Sequence, residues 1–286
     1  MKNFLFELGF ISEDVEIIID AQNRLNKYTD DVKNALCYYM SDQMQAWYFI
    51  TSNLSENTKL NLYTVYLSLL LKKAYKTKDE YIKKGLSYQL FIDTMRDFSF
   101  KNNECKKVYG VVGTFAELWF RRFFLLERFM FNRLQVEKTD FEYDEYKHLK
   151  KGDTVYKLHI PSNGPLFIED VITSLKLAYD FYKNDHKGDI MPFVCNSWLL
   201  FPAFKKLFSP HGNISKFRKL FTIIHSNTYE DFHNSWRIFN EPYNGKIDHL
   251  PENTSLQRAM KKYYLDGNLE GVGYGILFFD GNKVIV

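Results

Sequence analysis

Apolar residues recur at helical spacing over residues 1–128, where no proline and few glycines interrupt them. In "KLNLYTVYLSLLLKKAY" the positions Leu62, Tyr66, Leu69 and Leu70 return with a period of about 3.6. Further apolar residues cover its other faces, so a helix buried nearly all round is predicted. "SYQLFIDTMRDF" sets Leu90, Phe91, Thr94 and Met95 on one stripe. "KKVYGVVGTFAELWFRRFFLLERF" reads as one long helix carried by Val108, Val111, Val112, Phe115, Leu118 and Trp119. These patterns predict an all-helical first domain.

The period then changes, and all seven prolines lie beyond position 160. "FMFNRLQVEKTDFEY" alternates, with Phe131, Arg133, Gln135 and Glu137 on one face and Asn132, Leu134 and Val136 on the other. "TVYKLHI" alternates again: Tyr156, Leu158 and Ile160 make an apolar face, while Lys157 and His159 share the opposite one. A helix follows with Val171, Leu175, Ala178 and Tyr182 turned inward. "FVCNSWLL" reads as a buried strand, "PAFKKLF" as a short helix, "KFRKLFTII" as a strand and "YEDFHNSWRIF" as a helix. "NTSLQRAMKKYYLDGN" carries an Asn253 or Thr254 cap, an inner stripe of Leu256, Ala259, Met260 and Tyr263, and a stop at Gly267. "GYGILFF" and "KVIV" predict a hairpin about "DGN". The expected class is therefore α+β in two domains, residues 1–130 helical and residues 131–286 a mixed α/β sheet, with residues 138–153 a hairpin tip or an insertion.

Composition narrows the function. The 45% hydrophobic and 26% charged content is that of a globular protein. A net charge of +3 without a sustained Lys/Arg tract gives no footprint for nucleic acid. Cys37, Cys105 and Cys195 are odd in number and widely spaced, which supports neither a disulfide framework nor a zinc knuckle. No H-x-x-x-H or H-E-x-x-H spacing occurs, so no metal site is expected. The start "MKNFLFELGFISEDVE" has acids where a signal peptide has an apolar core, and the run Leu60 to Leu71 is shorter than the ~20 residues of a membrane span. A soluble, cytoplasmic protein is expected.

The most suggestive stretch is "HIPSNGPLFIEDV", residues 159–171, a polar loop between a predicted strand and a predicted helix starting near Pro165 or Leu166. Free N–H groups and the positive end of a helix dipole suit a phosphate there. Glu169 and Asp170 already answer the dipole, and Gly164 is the loop's one glycine, so a plain connector is the competing reading. His159 at the strand end is either a base or ligand contact, or a structural hydrogen-bonding group. Glu137 is a general base if its face lines a cleft, or an ion-pair partner of Arg133 on a solvated face. In "CNSWLL" Cys195 and Ser197 share one face and Asn196 the other. A buried Cys195 is ordinarily inert, whereas Asn196 and Ser197 need polar partners. "GVGYG", with glycines at 271, 273 and 275, lacks the spacing of a nucleotide loop and leads into a strand.

"RLQVE" (133–137), "LHIPSNGPL" (158–166), "FVCNSWLL" (193–200), "NISKFRKLFTI" (213–223) and "LPENTSLQRAMKKYYLDGN" (250–268) occur in the order and spacing of a bacterial acyltransferase family. The chain resembles that family, which joins an N-acyltransferase N-terminal helical domain to a GNAT-like C-terminal domain. The resemblance implies a CoA-dependent N-acyltransferase using acyl-CoA as co-substrate and an amine as acceptor; the charge and the short apolar runs lead to no expectation of a nucleic acid or membrane partner. It implies that Ile160, Ser162, Asn163, Gly164 and Leu166 lie where acyl-CoA binds, beside a central strand that splays from "FVCNSWLL". Glu137 or His159 would take the amine proton, with Cys195 or Ser197 returning one to the thiolate and Asn196 beside them. One departure stands: the superfamily's Q/R-x-x-G-x-G/A loop is absent. A non-catalytic small-molecule or peptide binder on the same fold is the alternative.

Overall fold

The computed structural model describes residues 1–232 and 234–285. Two compact units divide it, Met1–Phe129 and Met130–Val286. The first is helical: α1 (Lys2–Glu7), α2 (Ser12–Leu25), α3 (Thr29–Ser41), α4 (Gln43–Phe49), α5 (Glu56–Thr58), α6 (Leu62–Lys83), α7 (Tyr88–Met95), α8 (Asp97–Tyr109) and α9 (Arg121–Phe124). The Asn61 side chain caps α6 by accepting from the Tyr63 N–H, and every residue from Thr64 to Leu71 is buried. That is the all-round burial its sequence predicts. Asp14 accepts from Asn102 and Lys106, each at 2.7 Å, so one buried carboxylate ties α2 to α8.

The long helix expected through residues 106–129 is not formed. Gly110 adopts the left-handed conformation at φ 68° and ends α8. Gly113 then packs so tightly on α6 that a Cβ there would lie 2.6 Å from the Tyr63 carbonyl carbon. The chain resumes as a 3-10 turn, Glu117–Phe120, and the short α9. Phe98 and Phe120 stack at 3.9 Å beneath it.

The second unit is built on a sheet of order β1-β2-β5-β6-β8-β7, with β9 paired to β8. Its strands are β1 (Arg128–Phe131), β2 (Leu134–Asp140), β5 (Thr154–His159), β6 (Met191–Ser197), β7 (Thr222–Tyr229), β8 (Glu270–Phe279) and β9 (Val284–Ile285). A two-stranded tip, β3 (Glu145–Tyr146) and β4 (Leu149–Lys150), connects β2 to β5. Its Leu149 joins Phe141, Val155, Val194 and Ile276 in an apolar cluster on one face of the sheet. Helix α10 (Ile168–Tyr182) crosses between the parallel strands β5 and β6 and lies on the other face, where Tyr182 meets Tyr156 at 4.9 Å.

The continuous alternation expected over residues 129–143 is broken at Asn132, whose φ of 55° turns β1 back into β2. "KFRKLFTII" is half helix: α11 (Asn213–Arg218) precedes β7. "YEDFHNSWRIF" gives only α12 (Trp236–Phe239), with β7 ending at Tyr229; His233 lies outside the described residues. Helix α13 (Ser255–Leu265) starts as expected on a capping box between Thr254 and Gln257. The final hairpin also forms, Asp280 accepting from the Asn282 and Lys283 N–H groups, although Val286 lies outside the described residues.

Candidate functional site

Strands β5 and β6 pair at two positions only, Tyr156 with Phe193 and Lys157 with Val194. Both continue beyond that, β5 to His159 and β6 to Ser197, without pairing to each other. Each is held instead by its outer neighbour: Gln135 faces His159 across β2 and β5, and Ser197 faces Gly273 across β6 and β8. The sheet therefore opens at the carboxyl ends of two parallel strands, the usual place for a ligand crevice.

A cavity of about 770 Å³ lies at this opening. One wall is the loop after β5, with Ile160, Gly164, Pro165 and Leu166. The other runs from Trp198 and Leu199 through Lys206, Phe208 and Ile214. Arg133 and Lys206 are the cations of this lining, which contains no carboxylate among the described residues.

A buried arginine fixes each wall. Arg133 donates from Nη1 to the Pro161 carbonyl (2.9 Å), from Nη2 to the Gly164 carbonyl (2.8 Å) and from Nε to the Pro165 carbonyl (2.9 Å). Burial pushes its pKa down to about 10 against the pull of Asp170. The solvated Arg133–Glu137 pair weighed from sequence gives way to this internal role, because both residues are buried and the loop carbonyls take the Arg133 donors. The loop is also longer than expected, since α10 begins at Ile168 and not at Pro165 or Leu166. Opposite it, Arg218 donates from Nη1 to the carbonyls of Leu199 and, at 3.1 Å, Phe201. The glycines of "GVGYG" seat this second wall: a Cβ at Gly273 would lie 2.4 Å from the Leu200 carbonyl oxygen, and one at Gly275 2.8 Å from Leu200 Cδ1. Nothing but glycine leaves room for the turn to lie on β8.

The proposed polar residues divide between the two faces of the sheet. Cross-strand partners share a face and neighbours along a strand alternate, so Glu137, His159 and Asn196 lie on one face and Cys195 and Ser197 on the other. Glu137 Oε2 and His159 Nε2 are 3.3 Å apart, with side chains 5% and 14% exposed. Asn196 is exposed. Cys195 is 1% exposed, and burial lifts its thiol to about 12. It is not among the residues that line the cavity. Ser197 Oγ accepts from the Leu199 N–H and caps the 3-10 turn Trp198–Leu200, keeping its own proton. Within the loop Ser162 is exposed, Gly164 has φ 126° with open space where a Cβ would stand, and Asn163 Oδ1 is buried with no hydrogen-bond partner among the described residues. Sequence reasoning missed Arg133, Arg218, Trp198 and Lys206 as parts of this site. The carbonyls that hold Arg133 and Arg218 lie 17 to 32 positions away along the chain, and no local pattern marks them.

A family model described as a GNAT-like C-terminal domain matches residues 123–277, more than half of the chain. The chain belongs to this family. A model described as an N-acyltransferase N-terminal domain matches residues 1–126. Among solved structures, the fold is similar to that of an acyltransferase in complex with decanoyl-CoA and teicoplanin, 18% identical over 96% of this chain and 86% of that one, with a TM-score of 0.75. An acyltransferase in complex with decanoyl-CoA is 20% identical over the same shares, with a TM-score of 0.73. A mutant acyltransferase in complex with octanoyl-CoA is 18% identical, again over 96% and 86%, with a TM-score of 0.75. No curated protein matches the chain. Among the described residues no helix is long and apolar enough to cross a membrane, and no cluster of metal-ligating side chains occurs.

Proposed function

We propose that this protein transfers an acyl group from acyl-CoA to an amine. The observation that carries this reading is the parting of β5 and β6 after two residue pairs, with a 770 Å³ cavity at the opening. Membership of the GNAT-like family supports it, as does the likeness in fold to acyltransferases solved with decanoyl-CoA and octanoyl-CoA. In this reading a backbone N–H of β5 beyond Lys157, no longer paired to β6, polarises the thioester carbonyl and stabilises the oxyanion formed on attack. His159, held by Glu137, takes the proton of the attacking amine. The new C–N bond forms as the C–S bond breaks, and the proton taken by His159 is returned through water to the leaving thiolate. Ile160, Ser162, Asn163, Gly164 and Leu166 receive the donor; Asn196 lies on the acceptor side with Glu137 and His159.

The test is titration calorimetry with acetyl-, octanoyl- and decanoyl-CoA, followed by measurement of free thiol release with primary amines. Binding with amine-dependent thiol release is expected, and His159→Ala should lower kcat about a hundredfold. Binding without release for any amine tried would favour a binding protein; no binding would end the acyl-CoA reading.

A further inference from the structure

We infer that Arg133 and Lys206 bind the nucleotide phosphates of the acyl donor, a task the loop itself is not built for. The inference rests on the acyl-CoA reading above. In a trans peptide the carbonyl of one residue and the N–H of the next point in opposite directions, and the described chain contains no cis peptide. The carbonyls of Pro161, Gly164 and Pro165 all turn toward Arg133. The N–H groups turned away at those three peptides are those of Ser162 and Leu166, because Pro165 follows Gly164 and has none. Of the three peptides fixed on Arg133 only two thus offer an N–H to a pyrophosphate, and the positive end of α10 is already opposed by Glu169 and Asp170.

Positive charge at the cavity comes from outside the loop. Arg133 is 8% exposed and its three hydrogen-bond acceptors are neutral carbonyls, which satisfy its geometry without cancelling its charge. Asp170, the carboxylate that acts on it through space, accepts from Asn132 at 3.3 Å and is not part of the cavity lining. A guanidinium hydrogen-bonded only to neutral carbonyls beside apolar walls favours an anion. Lys206 stands on the other wall, exposed and in no ion pair among the described residues. Two cations, no carboxylate and an otherwise largely apolar lining describe a site for a molecule that is apolar along its length and anionic at one part. Acyl-CoA is such a molecule, and its phosphates are the anionic part.

The experiment compares acyl-CoA with the matching acyl-pantetheine, which carries the same thioester and lacks the nucleotide phosphates. Lys206→Gln should raise Kd and KM for acyl-CoA about tenfold with acyl-pantetheine constants unchanged, and Arg133→Gln, which also frees the loop carbonyls, should raise them about a hundredfold for acyl-CoA and by much less for acyl-pantetheine. Arg218→Lys, a change in the other buried arginine, serves as the structural control and should not separate the two donors. Lys206 is exposed, so its variant keeps the test decisive if Arg133→Gln fails to fold. Wild-type protein that binds the two donors equally well, or variants that weaken both equally, overturns the phosphate assignment and leaves the acyltransferase reading standing. Binding of neither donor by wild-type protein overturns both.

Discussion

The two walls of the cavity differ in how they are kept in place. The loop of residues 160–166 hangs from its carbonyls: Arg133 holds three of them, and Gly164 has no atom within 4 Å of where its Cβ would be. The turn of residues 198–201 is also tied to an arginine through two carbonyls, yet it lies directly on β8, with Gly271, Gly273 and Gly275 stripped of side chains beneath it. One wall is suspended over open space and the other is packed solid. A glycine in the first is there for its backbone angle, and a glycine in the second for its missing volume.

Exchanging these glycines for alanine is the sharpest way to break the comparison. Gly273→Ala forces a methyl group against the Leu200 carbonyl and should cost about 3 kcal/mol of stability in urea unfolding. A cost near zero would mean that the turn can lift from β8 freely. Gly164→Ala meets no atom but must hold φ near 126°, so a smaller loss of about 1 kcal/mol is expected by the same measurement. Equal losses at the two positions would erase the distinction between the walls. The gentlest test leaves the sequence unchanged. Native protein treated with a thiol-alkylating reagent at pH 8 should be modified at the exposed Cys37 and spared at Cys105 and Cys195, whose buried thiols are each raised to about 12. Mass spectrometry of the digest reads this directly, and alkylation of Cys195 would show that β6, the strand leading into the packed wall, opens in the native state.

What the sequence made legible follows from the range of each interaction. The Thr254–Gln257 capping box and the Asp280–Gly281–Asn282 turn satisfy their own neighbours, and α13 and the β8–β9 hairpin were readable from residues a few positions apart. The α+β class, with helices first and a sheet after, was readable from the change of period and the placement of prolines. The break after Tyr109 was hidden because Gly113 answers to Tyr63, some fifty positions earlier. The role of Arg133 was left open between a cleft face and a solvated ion pair for the same reason: its carbonyl partners lie 28 to 32 positions ahead. In the site, the burial of Cys195 was legible because "FVCNSWLL" reads as a buried strand, whereas the approach of Glu137 to His159 within 3.3 Å depends on the register that sets β2 beside β5, which neither strand's own pattern reports.

The short pairing of β5 with β6 also has a mechanical side. The sheet amounts to two smaller sheets, β1-β2-β5 on one side and β6-β8-β7 with β9 on the other, stapled at Tyr156–Phe193 and Lys157–Val194. Such a seam is where cooperative opening would begin, and backbone amides along it should exchange sooner than those at the centre of either half. A guest lodged in the gap bridges the seam from both sides, so it becomes part of the framework for as long as it stays.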